Sequence, residues 1–223
     1  MIFQLLDDNI TFPNPELAET KEPFNGLLAI GGTLSWQYIL EAYRNGIFPW
    51  YSENSPILWW SPDPRFVLFT EKLHVSRRLE RTIRQKIFDI RFNTAFEQVM
   101  RECAKKVPDR PETWIHEEMI SPYVELYKRG YALSAEAWKD NKLVGGLYGV
   151  ILGNKKKIFC GESMFHRVRD ASKVAFVTMI RKFVKEGLFL VDCQLETNYL
   201  KSFGAENISR KQFLKYLKES LDS

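Results

Sequence analysis

The sequence predicts an α+β protein: a mixed sheet flanked by helices, preceded by a small N-terminal α+β unit. Three observations predict it. The chain has 223 residues, which at roughly 150 residues per domain allows one sizeable core and a smaller appended unit. Three apolar segments between residues 131 and 165, separated by turn residues, read as an antiparallel meander. A helical apolar stripe then leads to a nearly continuous apolar segment at 188–195, the pattern of a crossover to a buried strand. With 45% apolar and 27% charged residues, disordered, collagen-like and coiled-coil readings are excluded.

The first 63 residues read as a compact, turn-rich domain. Pro13, Pro15, Pro23 and the Gly31-Gly32 pair end regular elements there. Ser35 is a natural N-cap for a helix carrying Ile39, Leu40 and Tyr43 at helical spacing, with Gly46 at its C-cap position. Pro49, Pro56, Pro62 and Pro64 follow, and Pro62-Asp63-Pro64 marks the boundary to a second domain spanning 64–223. That domain reads βαα-βββ-α-β-α. A strand is expected in IFDIRFN (87–93), helices over Thr94–Cys103 and His116–Arg129, and a loop at Pro108–Pro111. The meander strands are Tyr131–Trp138, Leu143–Leu152 and Ile158–Phe165, with turns at 139–142 and Gly153-Asn154. A helix begins at Asp170-Ala171-Ser172 and carries Val174, Val177, Ile180 and Val184 as its stripe. Leu188–Leu195 is the buried strand. Helices at Tyr199–Phe203 and Ser209–Leu221 close the chain.

No segment crosses a membrane. The longest uncharged stretch, Pro23–Leu40, is interrupted by Asn25, Gly31-Gly32, Thr33, Ser35 and Gln37. The N-terminus lacks a basic region and carries Asp7-Asp8 where a signal peptide would be apolar, so a cytoplasmic protein is expected. Cys103, Cys160 and Cys193 are few, odd in number and far apart, as in a reducing compartment. Three histidines and no C-x-x-C argue against a structural zinc site, and the sequence implies neither a metal nor an organic cofactor.

The net charge of +4 divides unevenly. Residues 1–70 hold 3 Lys/Arg against 8 Asp/Glu, and residues 71–223 hold 29 against 20. The densest basic segment is EKLHVSRRLERTIRQK, Glu71–Lys86. As a helix capped by Ser76, it sets Arg77, Arg81 and Arg84 on one face and Leu79 and Ile83 on another. That face is either a solvated amphipathic surface or a set of fixed cations for a nucleic-acid backbone.

Two carboxylates fall on strands read as buried, where an unpaired charge is costly. They are Glu162 in FCGESMF and Asp192 in LFLVDCQL. Alternation sets Asp192 and Gln194 on one side of their strand. The pair is either a satisfied structural network or a catalytic or ligand-orienting group. Ser163 has no G-x-S-x-G elbow and no suitably placed histidine beyond His166, which argues against a serine hydrolase. GLLAIGG and GGLYG match neither G-x-G-x-x-G nor a P-loop; their glycines serve turns and close strand packing. Trp50, Tyr51, Trp59 and Trp60 cluster, with Trp114 further on. They are aromatic staples of a small domain or stacking platforms for a nucleobase or aminoacyl group.

These motifs carry a family resemblance. FPNPELAETKEPFNGLLAIGGTLS, YRNGIFPWYSENSPILWWSPDPR, TWI (113–115), KLVGGLYGV, FCGESMF, DASKVA, DCQ and SFGAENISRKQFL occur in order over almost the whole chain. In these blocks the chain resembles the leucyl/phenylalanyl-tRNA–protein transferases, bacterial aminoacyltransferases of the N-degron pathway. The resemblance implies a GNAT-like acyltransferase domain behind a small N-terminal domain. It implies transfer of Leu or Phe, and less readily Met, from aminoacyl-tRNA to acceptor proteins beginning with Arg or Lys, by a monomer. Ordinary GNAT enzymes carry a Q/R-x-x-G-x-G/A loop that holds the coenzyme A pyrophosphate. Here the place reads HRVRDASKVA, without glycine, which disfavours an acetyl-CoA enzyme. An RNA-binding module without catalysis and a related transferase of other specificity are the remaining alternatives.

Carried over residue by residue, the resemblance assigns Trp50 and Trp114 to the terminal adenosine of the tRNA. Leu147, Phe159, Met164, Phe176 and Met179 match or neighbour positions of the aminoacyl pocket, where thioethers suit several side-chain shapes. Arg77, Arg81 and Arg84 hold the acceptor arm; Gln85 replaces a further basic residue of the family, beside Lys86. Asp192 and Gln194 form a relay that deprotonates the acceptor amine, unless ribose hydroxyls of the tRNA shuttle the proton. Glu162 orients the aminoacyl-adenosine or the amine, and Glu162 and Asp192 are expected to face the acceptor's cationic side chain.

Overall fold

The computed structural model describes residues 2–6, 10–107 and 113–223, so the loop expected at Pro108–Pro111 lies outside the described residues. Among the described residues the chain forms two sheets. The smaller contains β1 (Phe3–Leu5), β2 (Leu27–Gly31), β3 (Phe48–Pro49) and β4 (Leu58–Trp60), in the order β1-β2-β4-β3. None of these strands is expected from the sequence. Each has five residues or fewer and is defined by its partners rather than by its own pattern. The α-helix of this region, α1 (Trp36–Arg44), matches expectation: the Tyr38 amide donates to Ser35 Oγ at 3.3 Å, and Gly46 follows the helix at φ +72°.

The larger sheet holds β5 (Arg65–Phe69), β6 (Asp89–Phe92), β7 (Ala132–Lys139), β8 (Lys142–Leu152), β9 (Lys157–His166), β10 (Leu188–Gln194) and β11 (Glu206–Ile208), in the order β11-β5-β10-β9-β8-β7-β6. Its helices are α2 (Arg77–Arg84), α3 (Phe96–Ala104), α4 (Glu117–Lys128), α5 (Ala171–Phe183), α6 (Asn198–Lys201) and α7 (Arg210–Leu221). The expected meander is β7-β8-β9. Helix α5 then crosses over to β10, which pairs in parallel with β9. A meander, a crossover helix and a parallel partner strand make the mixed sheet GNAT-like. β5 and β11 are additions to the expected order. β5 follows directly on Pro62-Asp63-Pro64, and β11 is only three residues long.

The two sheets share one core. A single cluster runs from Leu28, Tyr38 and Tyr43 to Phe96, Tyr123 and Phe213. A second cluster lies between the larger sheet and α5, with Phe66, Leu147, Phe159, Phe176 and Val191. Each such fully buried side chain stabilises the fold by about 1.5–3 kcal/mol relative to exposure. A third carboxylate, Glu136 on β7, is also fully buried, which the sequence reading missed. The hydroxyls of Ser134 and Thr94 donate to it, the latter at 2.8 Å. No helix among the described residues is long and apolar enough to cross a membrane.

Candidate active site

The parallel ladder between β9 and β10 ends at the pair Cys160–Asp192, although β9 runs on to His166 and β10 to Gln194. The strands part beyond that pair, and a cavity of about 460 Å³ opens in the fork. Two irregularities flank it. Against β8, Tyr148 pairs with Ser163 and Gly149 with Gly161, so Glu162 is the extra residue of a bulge. Against β5, Asp192 pairs with Val67 and Gln194 with Phe66, so Cys193 is extra there. Bulges re-aim side chains and end pairing. Here they bring Glu162 and Gln194 together across the opening. Gly149 lets the first bulge form, because a Cβ there would stand 2.1 Å from the Cys160 carbonyl oxygen.

Glu162 is the polar centre of the cavity. Tyr43 Oη donates to its Oε1 at 2.5 Å, Gln194 Nε2 donates to Oε1 at 3.0 Å, and Tyr123 Oη donates to Oε2 at 3.1 Å. The two tyrosine hydroxyls lie 3.0 Å apart. Burial raises the Glu162 carboxyl from its ordinary 4.5 to about 7, against the opposing pull of the Tyr43, Tyr123 and Gln194 hydrogen bonds. Both tyrosine hydroxyls are pushed well above their ordinary range, by burial and then by the neighbouring Glu162 charge, and so remain donors. Sequence reasoning missed Tyr43, which it placed on the apolar face of a helix, and Tyr123, which it did not single out. It also missed Arg65.

Asp192 is different. It is fully buried and held by a two-point fork from Arg65: Nε to Oδ1 at 2.8 Å and Nη2 to Oδ2 at 2.6 Å. Arg65 is sandwiched between the rings of Phe48 and Phe213 and also donates to the Gly46 carbonyl. Bidentate pairing of this kind fixes both partners. The expectation that regular alternation joins Asp192 and Gln194 is corrected by the bulge at Cys193. Their link is the Gln194 backbone N–H donating to Asp192 Oδ1 at 3.0 Å, while the Gln194 side chain reaches Glu162. Gln194 adopts φ +64°, which turns the following residues away from the sheet.

The remaining walls are largely apolar: Leu147, Phe159, Met164, Phe176, Val191 and Leu200. Met179, expected among them, lies outside the lining and is fully buried. Three residues of helix carry it about 4.5 Å further along α5 than Phe176. Trp50 and Trp114 border the cavity, and Trp50 is 43% exposed. Their segments are tied together: Tyr51 Oη donates to Glu118 at 2.6 Å, and His116 Nε2 lies 3.3 Å from the Tyr51 carbonyl. Trp60 Nε1 donates to the Trp50 carbonyl at 2.6 Å.

Arg77, Arg81 and Arg84 do not border the cavity. They project exposed from α2, and no ion pair is recorded for them among the described residues. The charged neighbours on α2 are engaged differently, Arg78 with Asp170 and Glu80 with Arg181 of α5. Helix α2 therefore exposes three outer arginines outside any recorded ion pair, with Arg84 near enough to Glu80 to help hold its carboxyl low.

The fold is a GNAT-like mixed sheet that opens on an apolar cavity around one carboxylate. The family model for leucyl/phenylalanyl-tRNA protein transferase matches residues 67–218, and that for the family's N-terminal domain matches residues 32–63. Relatives named leucyl/phenylalanyl-tRNA–protein transferase include those of Maridesulfovibrio salexigens (49% identical, covering 100% of this chain and 90% of the relative) and Chromobacterium violaceum (50% identical, 93% and 88%). Among solved structures, an aminoglycoside acetyltransferase from an uncultured soil metagenomic sample is similar over 54% of this chain and 86% of its own, with TM-score 0.41 and 16% identity. The chain belongs to the leucyl/phenylalanyl-tRNA–protein transferase family and is an aminoacyltransferase.

Proposed function

We propose that the protein transfers Leu or Phe, and less readily Met, from the 3′ end of aminoacyl-tRNA to the N-terminal Arg or Lys of an acceptor protein, acting as a cytoplasmic monomer. The observation that carries this reading is the fork itself: an apolar cavity for an uncharged side chain, walled on one side by a carboxylate poised near neutrality.

The aminoacyl side chain fills the space between Leu147, Phe159, Met164 and Phe176. Trp50 and Trp114 offer flat faces for the terminal adenine. Arg77, Arg81 and Arg84 hold acceptor-arm phosphates and release counterions. The chemistry is aminolysis of an ester. The acceptor amine attacks the carbonyl carbon, the C–N bond forms, the C–O ester bond breaks, and the ribose hydroxyl leaves with a proton. The ammonium of the acceptor must first lose a proton. Ionised Glu162 accepts it, and a group near pH 7 suits that exchange. Asp192 acts through structure: fixed by Arg65, it holds the Gln194 backbone so that the Gln194 amide steadies Glu162.

The test is transfer of labelled leucine from leucyl-tRNA to otherwise identical acceptors beginning with Arg or Ala. Label in the Arg-started acceptor alone supports the reading. Retention of tRNA without transfer to either acceptor overturns it in favour of RNA binding. A Glu162→Gln variant that keeps full rate and the same pH profile would assign the proton to the tRNA ribose instead.

A further inference from the structure

Glycine weakens a strand, because it orders more backbone and packs no side chain, so a glycine inside one needs a reason. The fold supplies a reason at all but one of the twelve glycines. Eight adopt the left-handed backbone that L side chains rarely enter. At Gly145, Gly146 and Gly149 a Cβ would stand 2.6, 2.9 and 2.1 Å from its nearest neighbour. Gly161 on β9 has neither reason. Its φ lies outside the left-handed range. A Cβ built on it would meet only the Asp192 carbonyl oxygen and one ring carbon of Phe159, both at 3.7 Å, which is ordinary van der Waals contact.

Its place in the fork is the second observation. Gly161 directly follows Cys160, the last rung of the β9–β10 ladder, and so stands at the apex where the strands part. It lines the cavity of about 460 Å³ and is half-buried, whereas Phe159 and Cys160 before it are buried. Glu162, the polar centre, is the next residue, and Phe159, an apolar wall, is the ring its Cβ would touch. Gly161 therefore lies at the junction of the reacting end and the apolar end of the cavity. A side chain there would take space from the cavity rather than displace protein atoms. Backbone left bare at such a point admits a ligand close to the strand.

We propose that Gly161 is a specificity-determining residue: the space left by its missing side chain is filled by the aminoacyl group, whose side chain passes it to reach Phe159 and Phe176. The assignment rests on the transfer reading above and names the point on β9 that sets how large an aminoacyl side chain the cavity takes. A substituent at 161 subtracts its volume from that side chain. The larger, rigid ring of Phe loses more by this than the smaller side chain of Leu, because overpacking penalises the bulkier group.

The experiment measures kcat/KM for transfer from leucyl-tRNA and from phenylalanyl-tRNA to one Arg-started acceptor, in the wild type and in Gly161→Ala. The variant is expected to fold with a urea midpoint at or above that of the wild type, since alanine suits both the backbone and the space. Its use of Phe falls about tenfold relative to its use of Leu. Binding of uncharged tRNA changes less than twofold. The pH inflection of kcat/KM stays in place, because Glu162 keeps Tyr43, Tyr123 and Gln194. An unchanged Phe-to-Leu ratio in the folded variant overturns the proposal. A shifted pH inflection overturns it too, by making Gly161 part of the bulge that aims Glu162. A variant that is destabilised or unfolded gives the glycine a structural reason and overturns it as well. Absence of wild-type transfer from either tRNA overturns the transfer reading itself.

Discussion

Glu162 and Asp192 lie on neighbouring parallel strands, Asp192 at the last rung of their shared ladder and Glu162 two residues beyond it, yet their surroundings differ in kind. Asp192 meets a guanidinium in a two-point fork and has no exposed surface, although it lies against the same cavity. Glu162 meets three neutral donors and borders a cavity. A paired charge in a closed site serves as a fixed structural anchor, while a carboxyl held by neutral donors against burial sits near the point where it gains or loses a proton. The difference teaches which buried carboxylate builds the site and which one works in it.

Breaking the pair at Asp192 has the largest expected effect. Arg65→Met leaves that carboxylate buried without compensation, which costs about 3–5 kcal/mol. Urea unfolding reads this loss, and Arg65→Met/Asp192→Leu is expected to recover most of it. A single variant as stable as the wild type would contradict the closed pair.

Glu162→Gln acts on chemistry instead. Transfer falls on the order of 10²-fold in kcat at neutral pH, in the range general-base catalysis supplies. Stability changes with the opposite sign to that of an ion-paired acid. The folded carboxyl keeps its proton up to about 7, whereas the unfolded chain releases it near 4.5. Between these values the folded state binds more protons, so its stability contribution is complete below the unfolded value and is lost as pH rises through about 7. The Gln variant is expected to lack that decline, as melting curves across pH 4–8 would reveal.

Tyr43→Phe sharpens the same contrast more gently. Removing the closest donor to ionised Glu162 moves the activity inflection to higher pH and costs roughly 1 kcal/mol of stability. An inflection that stays in place would remove Tyr43 from the account. The smallest effect belongs to the outer face of α2. Arg81→Ala should weaken tRNA binding about threefold and reduce the slope of log affinity against log salt by about one. An unchanged slope in filter binding would take Arg81 off the phosphate path.

What was legible in the sequence follows the same division. Glu162, Gln194 and Asp192 stand out because polar residues interrupt apolar strand segments. The aromatic residues of the mouth cluster locally, and the cationic face of α2 is periodic. These are properties of single segments. The bulges at Glu162 and Cys193 are invisible because they exist only in the register between strands. Arg65 left one signal, a charged residue opening the apolar strand RFVLF, but its partner is 127 residues away. Tyr43 and Tyr123 look like ordinary core residues until their hydroxyls are followed to one carboxylate. Met179 shows the converse: its helical spacing from Phe176 is sound, yet it is buried outside the lining of the cavity.

The Arg65 clamp has a consequence for how the molecule comes apart. One guanidinium touches the Gly46 carbonyl and the Phe48 ring before the proline boundary, Asp192 deep in the larger sheet, and Phe213 on the last helix. These four contacts tie together segments distant in sequence. The chain is therefore expected to melt in one cooperative transition, with a calorimetric enthalpy equal to the van't Hoff value. A cut at Pro62-Asp63-Pro64 is expected to yield two fragments that recover their structure only in each other's presence.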